Sequence, residues 1–155
     1  MIAVLQRVYN ATVFADGTLS GSIQRGLYIL LGVISGDTVE DALALAEKIS
    51  KCRIFNDQNG KMNLSVKDIG GEALVVSNFT LGANYSHGNR PDYFNSAAPD
   101  IAKPLFEKFC DLLAERVDKV ETGVFGADMR TEMSTWGPVT IVMDSRILLG
   151  GKNDT

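Results

Sequence analysis

The first third of the chain follows strand periodicity. "IAVLQRVYNATVFA" is rich in apolar and β-branched residues and runs into Asp16-Gly17, a strong hairpin signal. "TLSGSIQ" then returns as a short strand, and "GLYILLGVI" reads as a strand buried on both faces. Together these predict an antiparallel meander. The period then changes. In "GDTVEDALALAEKISKCRIF", Val39, Ala42, Leu43, Ala46, Ile49 and Arg53 recur at helical spacing, and Thr38 with Asp41 resembles a capping box. "NDQNGKMN" is a turn-rich loop, "EALVVSNFTLG" reads as a central strand, and "ANYSHGNRPDYFNSAAPD" is a long polar loop. "PDIAKPLFEKFCDLLAERV" predicts a second helix with Ile101, Leu105, Phe109, Leu112 and Leu113 on one face and Pro104 near its start. "KVETGVFGADMRTEMSTWGPVTIVMDS" supplies two or three closing strands.

The early hairpin argues against a doubly wound parallel sheet. The order of elements predicts an α+β fold: a curved, mainly antiparallel sheet or barrel with two packed amphipathic helices. Residues 1–145 are expected to form one domain and residues 146–155 a flexible C-terminal tail.

Composition narrows the function. The chain has 155 residues, 45% of them hydrophobic and 22% charged, as in ordinary globular domains. Its longest apolar run, "LYILLGVI", is far short of the about 20 residues that span a bilayer. The start shows no signal-peptide core, so a cytoplasmic protein without membrane association is expected. Cys52 and Cys110 lack metal or redox spacing and read as small core residues. His87 is the single histidine, which excludes a zinc site built on two or three. A net charge of −4 argues against general nucleic-acid binding. Arg53, Lys61, Lys67, His87 and Arg90 fall in one central stretch, either as a local basic patch or, more plainly, as scattered solvated charges.

Familiar catalytic patterns are missing. A serine triad would have to use His87, and no GxSxG elbow exists. Gly70-Gly71 and "GVFGAD" match no phosphate cradle. What remains is a polar strand end, Ser77, Asn78 and Thr80 around Phe79, and a proline inside a strand-like run. Buried hydroxyls and amides need partners, so local backbone bonding is the structural reading of the first. Pro138 has no N–H for a sheet ladder, so the second also needs a reason.

At these two motifs the chain resembles the bacterial and eukaryotic type of D-aminoacyl-tRNA deacylases. The likeness runs from Met1 to about Ser145 through "AVLQRV", "RIFND..GKMN", "GGE.LVVS.FTL", "KVETGVFGADM" and "GPVT". The resemblance implies a cofactor-free, homodimeric hydrolase acting on tRNA that carries a D-amino acid, with no DNA partner and no metal. It implies that Ser77, Asn78, Phe79 and Thr80 form the catalytic stretch. Gly137 and Pro138 match a cis Gly-Pro unit that enters the partner subunit's site, and Arg7 matches the arginine that steadies it. Phe125 and Met129 match pocket positions. The chain departs from the family's habit at Asn78, where a glutamine is usual, and at "STW", where Asn-Asp commonly precedes the Gly-Pro pair.

An activated ester asks for little beyond a positioned water and oxyanion donors, for which backbone N–H groups near Phe79 and Thr80 are candidates. Rigid backbone at Gly137-Pro138 suits exclusion of L-substrates by clash, which would let glycyl-tRNA in. Two other classes stay open: an esterase or amidase with Thr80 or Ser77 as nucleophile, and a non-catalytic RNA-binding domain.

Overall fold

Residues 1–150 are described by a computed structural model. β1 (Ile2–Ala15) is the element around which the sheet is built. Along one edge it pairs antiparallel first with β3 (Gly26–Gly32) and then with β2 (Thr18–Ile23). Asp16 and Gly17 make the connecting turn with φ of 48° and 82°, the positive pair that a tight two-residue hairpin needs. The expected three-stranded meander is therefore corrected: β2 and β3 are two parts of one return strand, broken only at Gln24–Arg25. On its other edge β1 pairs with β8 (Met129–Asp144).

β6 (Glu72–Ser77) lies parallel to β3, and β7 (Val120–Thr122) parallel to β6. A Cβ on Gly26 would fall within 1.8 Å of the Glu72 carbonyl, so the β3–β6 approach admits only glycine there. The sheet curls until β2 approaches β7, where the Ser20 hydroxyl donates to the Thr122 carbonyl at 2.9 Å. A two-stranded ribbon, β4 (Phe55–Asn56) with β5 (Met62–Leu64), stands beside this nearly closed mixed sheet. The α+β expectation holds, with the antiparallel pairings in the majority.

Alternation along β3 shows where the core sits. Leu27, Ile29 and Leu31 point to the large core, while Tyr28 joins Val8, Val13, Ile23 and Leu74 inside the curl. α1 (Val39–Lys51) and α2 (Pro99–Ala114) cover the first face. Their buried stripes keep much of the faces the sequence pattern indicates, with differences at the edges. In α1, Ala42, Leu45, Ala46 and Ile49 face inward, whereas Val39 and Leu43 are exposed and Arg53 lies past the helix end. In α2 the expected Phe109, Leu112 and Leu113 are buried and Leu105 packs on the core, joined by Ala102 and Phe106, while Ile101 is exposed. The α1 stripe follows i, i+3, i+4, i+7 geometry, and a one-position shift turns a residue about 100° away, which takes Leu43 and Ile101 off the buried faces. α2 begins at Pro99, so Pro104 lies inside the helix instead of at its entry.

α1 opens with the expected capping box, in which the Thr38 N–H donates to Asp41 Oδ2 at 2.8 Å. The other Asp41 oxygen accepts from the Ser145 hydroxyl at 2.7 Å, and that hydroxyl accepts from the Met1 ammonium at 2.7 Å. Asp37 completes the cluster with an ion pair to the same ammonium, 2.7 Å long. Burial alone would raise the Asp41 carboxyl, but bonds from Ser145 and Thr38 and the nearby ammonium hold it below its ordinary value. The tail expected from residue 146 therefore begins as the helical turn α3 (Ser145–Leu148), anchored by a fully buried Ser145. Residues 151–155 of that expected tail lie outside the described residues.

Candidate active site

The polar strand end is a turn, not a continuation of the strand. The Asn78 N–H still donates to the Leu31 carbonyl at 2.8 Å, extending the β3–β6 ladder by one bond. The chain then enters a 3₁₀ turn, Phe79–Gly82, in place of the expected strand through Gly82. Asn78 caps this turn: its Oδ1 accepts from the Thr80 N–H at 3.2 Å and from the Thr80 hydroxyl. The long polar loop closes over it. The Ser96 hydroxyl donates to the Phe79 carbonyl at 2.6 Å, and the Tyr93 ring meets the Phe79 ring edge-on at 5.0 Å.

Between this turn, the start of α2 and the stretch 125–129 lies a cavity of about 580 Å³. Ser77, Asn78, Phe79 and Tyr93 line it together with Phe106, Phe125 and Met129, and small residues at 96–98 complete the wall. Phe106 and Phe125 stand 6.0 Å apart between ring centroids. The lining contains no acid, no base and no cation. The Phe79 N–H makes no hydrogen bond among the described residues, whereas the Thr80 N–H is taken by Asn78. His87 sits elsewhere, exposed on a loop tip whose base is closed by paired backbone bonds between Asn84 and Asp92.

Five of the nine sequence-derived site residues, Ser77, Asn78, Phe79, Phe125 and Met129, therefore line one pocket. Thr80 stands beside them, joined through Asn78. Arg7, Gly137 and Pro138 form a second group. The β1–β8 register jumps from Gln6 opposite Thr140 to Val8 opposite Thr135, so Trp136, Gly137, Pro138 and Val139 loop out of the ladder facing Arg7. The Gly137–Pro138 peptide bond is cis. Arg7, only 6% exposed, donates from Nε to the Trp136 carbonyl at 2.8 Å. It also donates from Nη1 to the Ile54 carbonyl at 2.9 Å and to Asn56 Oδ1 at 3.2 Å. Desolvation lowers its pKa, against an opposing push from Tyr9, and it remains a cation at neutral pH.

Sequence reasoning missed Tyr93, Ser96 and Phe106. Tyr93 and Ser96 lie in the loop singled out for its length, but no spacing marks them. Phe106 lies in the second helix but outside the face that the sequence pattern picked out.

The fold and pocket define an α+β domain whose uncharged cavity is bordered by a capped polar turn. The family model for D-Tyr-tRNA(Tyr) deacylase matches residues 4–144, and the chain belongs to that family. It is 50% identical over 96% of its length to a D-aminoacyl-tRNA deacylase of Anaeromyxobacter dehalogenans, covering 99% of that protein. It is 52% identical over 94% of its length to one of Aquifex aeolicus, again covering 99% of that protein. A solved structure described as c-Myc DNA Unwinding Element Binding Protein superposes with a TM-score of 0.87 at 35% identity, over 93% of this chain and 98% of that one.

Proposed function

We propose that this chain hydrolyses the ester linking a D-amino acid to the 3′-terminal adenosine of tRNA, in the cytoplasm. The observation that carries the reading is the Ser77–Thr80 turn at the rim of a pocket lined by no acid or base, in a chain of this family. Such a pocket suits an activated ester and a flat, uncharged nucleobase. Water attacks the ester carbonyl, and the Phe79 N–H, left without a protein partner, stabilises the oxyanion that forms. Carbon–oxygen cleavage then releases the amino acid and the ribose oxygen, which takes up a proton. The neighbouring ribose 2′-hydroxyl relays that proton, in a pocket whose lining offers no acid or base.

Gly137 and Pro138 are exposed and line no part of their own subunit's cavity. They serve the site of a second copy, where their backbone excludes the side chain of an L-amino acid. The carbonyls of this excursion, not a side-chain pocket, make the selection. A Thr80 nucleophile is disfavoured, because its hydroxyl bonds to Asn78 and to no base. A purely RNA-binding role is disfavoured by the net charge of −4.

Deacylation of D-Tyr-tRNA, measured beside L-Tyr-tRNA, tests the proposal. Rapid loss of the D-aminoacyl bond with the L-ester spared is expected. No hydrolysis of either ester would overturn it.

A further inference from the structure

The residue before the Gly-Pro pair is the chain's single tryptophan, and its surroundings are unusual. Trp136 stands at the first position of the four-residue excursion from the β1–β8 ladder. Its carbonyl takes the Arg7 Nε bond, while the Arg7 guanidinium lies 4.3 Å from its ring centroid. Its ring stacks on Tyr9 at 5.1 Å and 13°, and meets Phe55 edge-on at 6.2 Å. Tyr9 is itself an irregularity. The register steps from Val8 opposite Thr135 to Asn10 opposite Ser134, leaving Tyr9 unpaired in β1. Two bulges on adjacent strands thus face each other and are locked ring against ring.

The other foot of the excursion is Val139, which, like Trp136, packs on the main core. Gly137 and Pro138 between them are exposed. Glycine contributes no packing of its own, so the position of the exposed pair is dictated by its two feet. The Val139 foot is an ordinary aliphatic contact. The Trp136 foot carries a hydrogen bond, a cation over a ring, a stacked ring and an edge-on ring. Arg7 has no carboxylate among its hydrogen-bond partners, which are two carbonyls and an amide oxygen. The indole is the remaining electron-rich surface that holds it.

We propose that Trp136, stacked on Tyr9, is the positioning residue that fixes where Gly137 and Pro138 stand, and so sets how strictly D- and L-aminoacyl esters are separated. The inference rests on the reading that Gly137-Pro138 performs the selection. It adds that selectivity is controlled by an aromatic pair on the subunit's own surface, touching neither substrate nor reacting atoms. A displacement of about 1 Å in such an element costs on the order of a hundredfold in a geometry-dependent step.

The test compares hydrolysis of D-Tyr-tRNA and L-Tyr-tRNA by wild type, Trp136→Ala, Trp136→Phe and Tyr9→Leu. Trp136→Ala is expected to narrow the ratio of D to L rates by about tenfold or more, through faster L-hydrolysis. Trp136→Phe, which keeps a stackable ring, is expected to restore most of that ratio. Tyr9 is half exposed, so Tyr9→Leu leaves the core intact. It should shift the emission of the sole tryptophan and narrow the ratio in part. A ratio equal to wild type in Trp136→Ala, whatever the overall rate, would overturn the inference. Should that variant fail to fold, a shifted emission with an unchanged ratio in Tyr9→Leu overturns it equally. Wild type that spares D-Tyr-tRNA would instead sink the proposed function, a separate outcome read in the same assay.

Discussion

The side-chain oxygen of Asn78 accepts two bonds from one residue, the N–H and the hydroxyl of Thr80. A single amide therefore shapes the turn that presents the Phe79 N–H. Removing it in Asn78→Ala strips the turn of its cap at a cost of about 1 kcal/mol. Hydrolysis of D-Tyr-tRNA should slow about tenfold, because the donor is no longer held in place. Single-turnover rates and a denaturant curve check both parts. A rate equal to wild type would show the Asn78–Thr80 link to be idle in the chemistry.

His87 offers the opposite case. It is exposed on the tip between Asn84 and Asp92 and lines no part of the pocket. His87→Ala should keep most deacylase activity. A loss of about 10² or more would bring back a histidine base.

Selection by backbone exclusion makes an unusual demand on substrates. Glycine has no side chain to strike Gly137 or Pro138, so glycyl-tRNA should be hydrolysed while L-alanyl-tRNA persists. One methyl group in a pocket is worth only about 1–3 kcal/mol by contact alone, so a gripping pocket would discriminate weakly. Comparable rates for the two esters would remove exclusion as the sorting rule.

If Gly137 and Pro138 work in a second copy's site, the functional unit is a two-fold pair. Light scattering should give twice the chain mass. Mixing a Gly137-Pro138 variant with an Asn78 variant should give mixed dimers in which one site joins an intact Asn78 to an intact Gly137-Pro138, and so hydrolyses the D-ester at the wild-type rate while sparing the L-ester. A monomer with full activity would refute shared sites.

Acid should weaken the Met1–Asp41–Ser145 cluster. The folded Asp41 carboxyl titrates below its unfolded value of about 3.9, so its stabilisation is present above that pH and is lost as pH falls through the folded value. Asp41→Asn should be less stable than wild type near neutrality. The gap should narrow on acidification below about pH 4, as read from urea midpoints. A gap independent of pH would assign its cost to packing.

The hairpin at Asp16-Gly17, both helices and the doubly buried β3 were legible because each rests on local periodicity or turn chemistry. The edges of the helices' buried faces were not. Leu43 and Ile101 fit the pattern as well as Leu45 and Ala102, and only the contact between α1, α2 and the sheet decides among them. The meander expectation failed for a related reason: "TLSGSIQ" and "GLYILLGVI" read as successive strands, but Gln24–Arg25 is only a break in one strand, set by pairing to β1. At the site, motif likeness located the Ser77–Thr80 turn and Arg7 opposite Gly137-Pro138. It gave no sign of Ser96 holding the Phe79 carbonyl, or of Tyr9 meeting Trp136. Those contacts join residues 17 and 127 positions apart, a distance over which one sequence carries no record of proximity.

β8 also bears on solubility. It is 16 residues long, and its outer edge pairs with no strand among the described residues. A flat edge of that length is a template for chains to add to one another without limit. The excursion at 136–139 divides it into two short runs, and Pro138 removes a donor at the break. Arg130 and Glu132 place charge on the longer run. The segment proposed to judge the handedness of a substrate thereby also keeps the molecule from growing into a ribbon of its own copies.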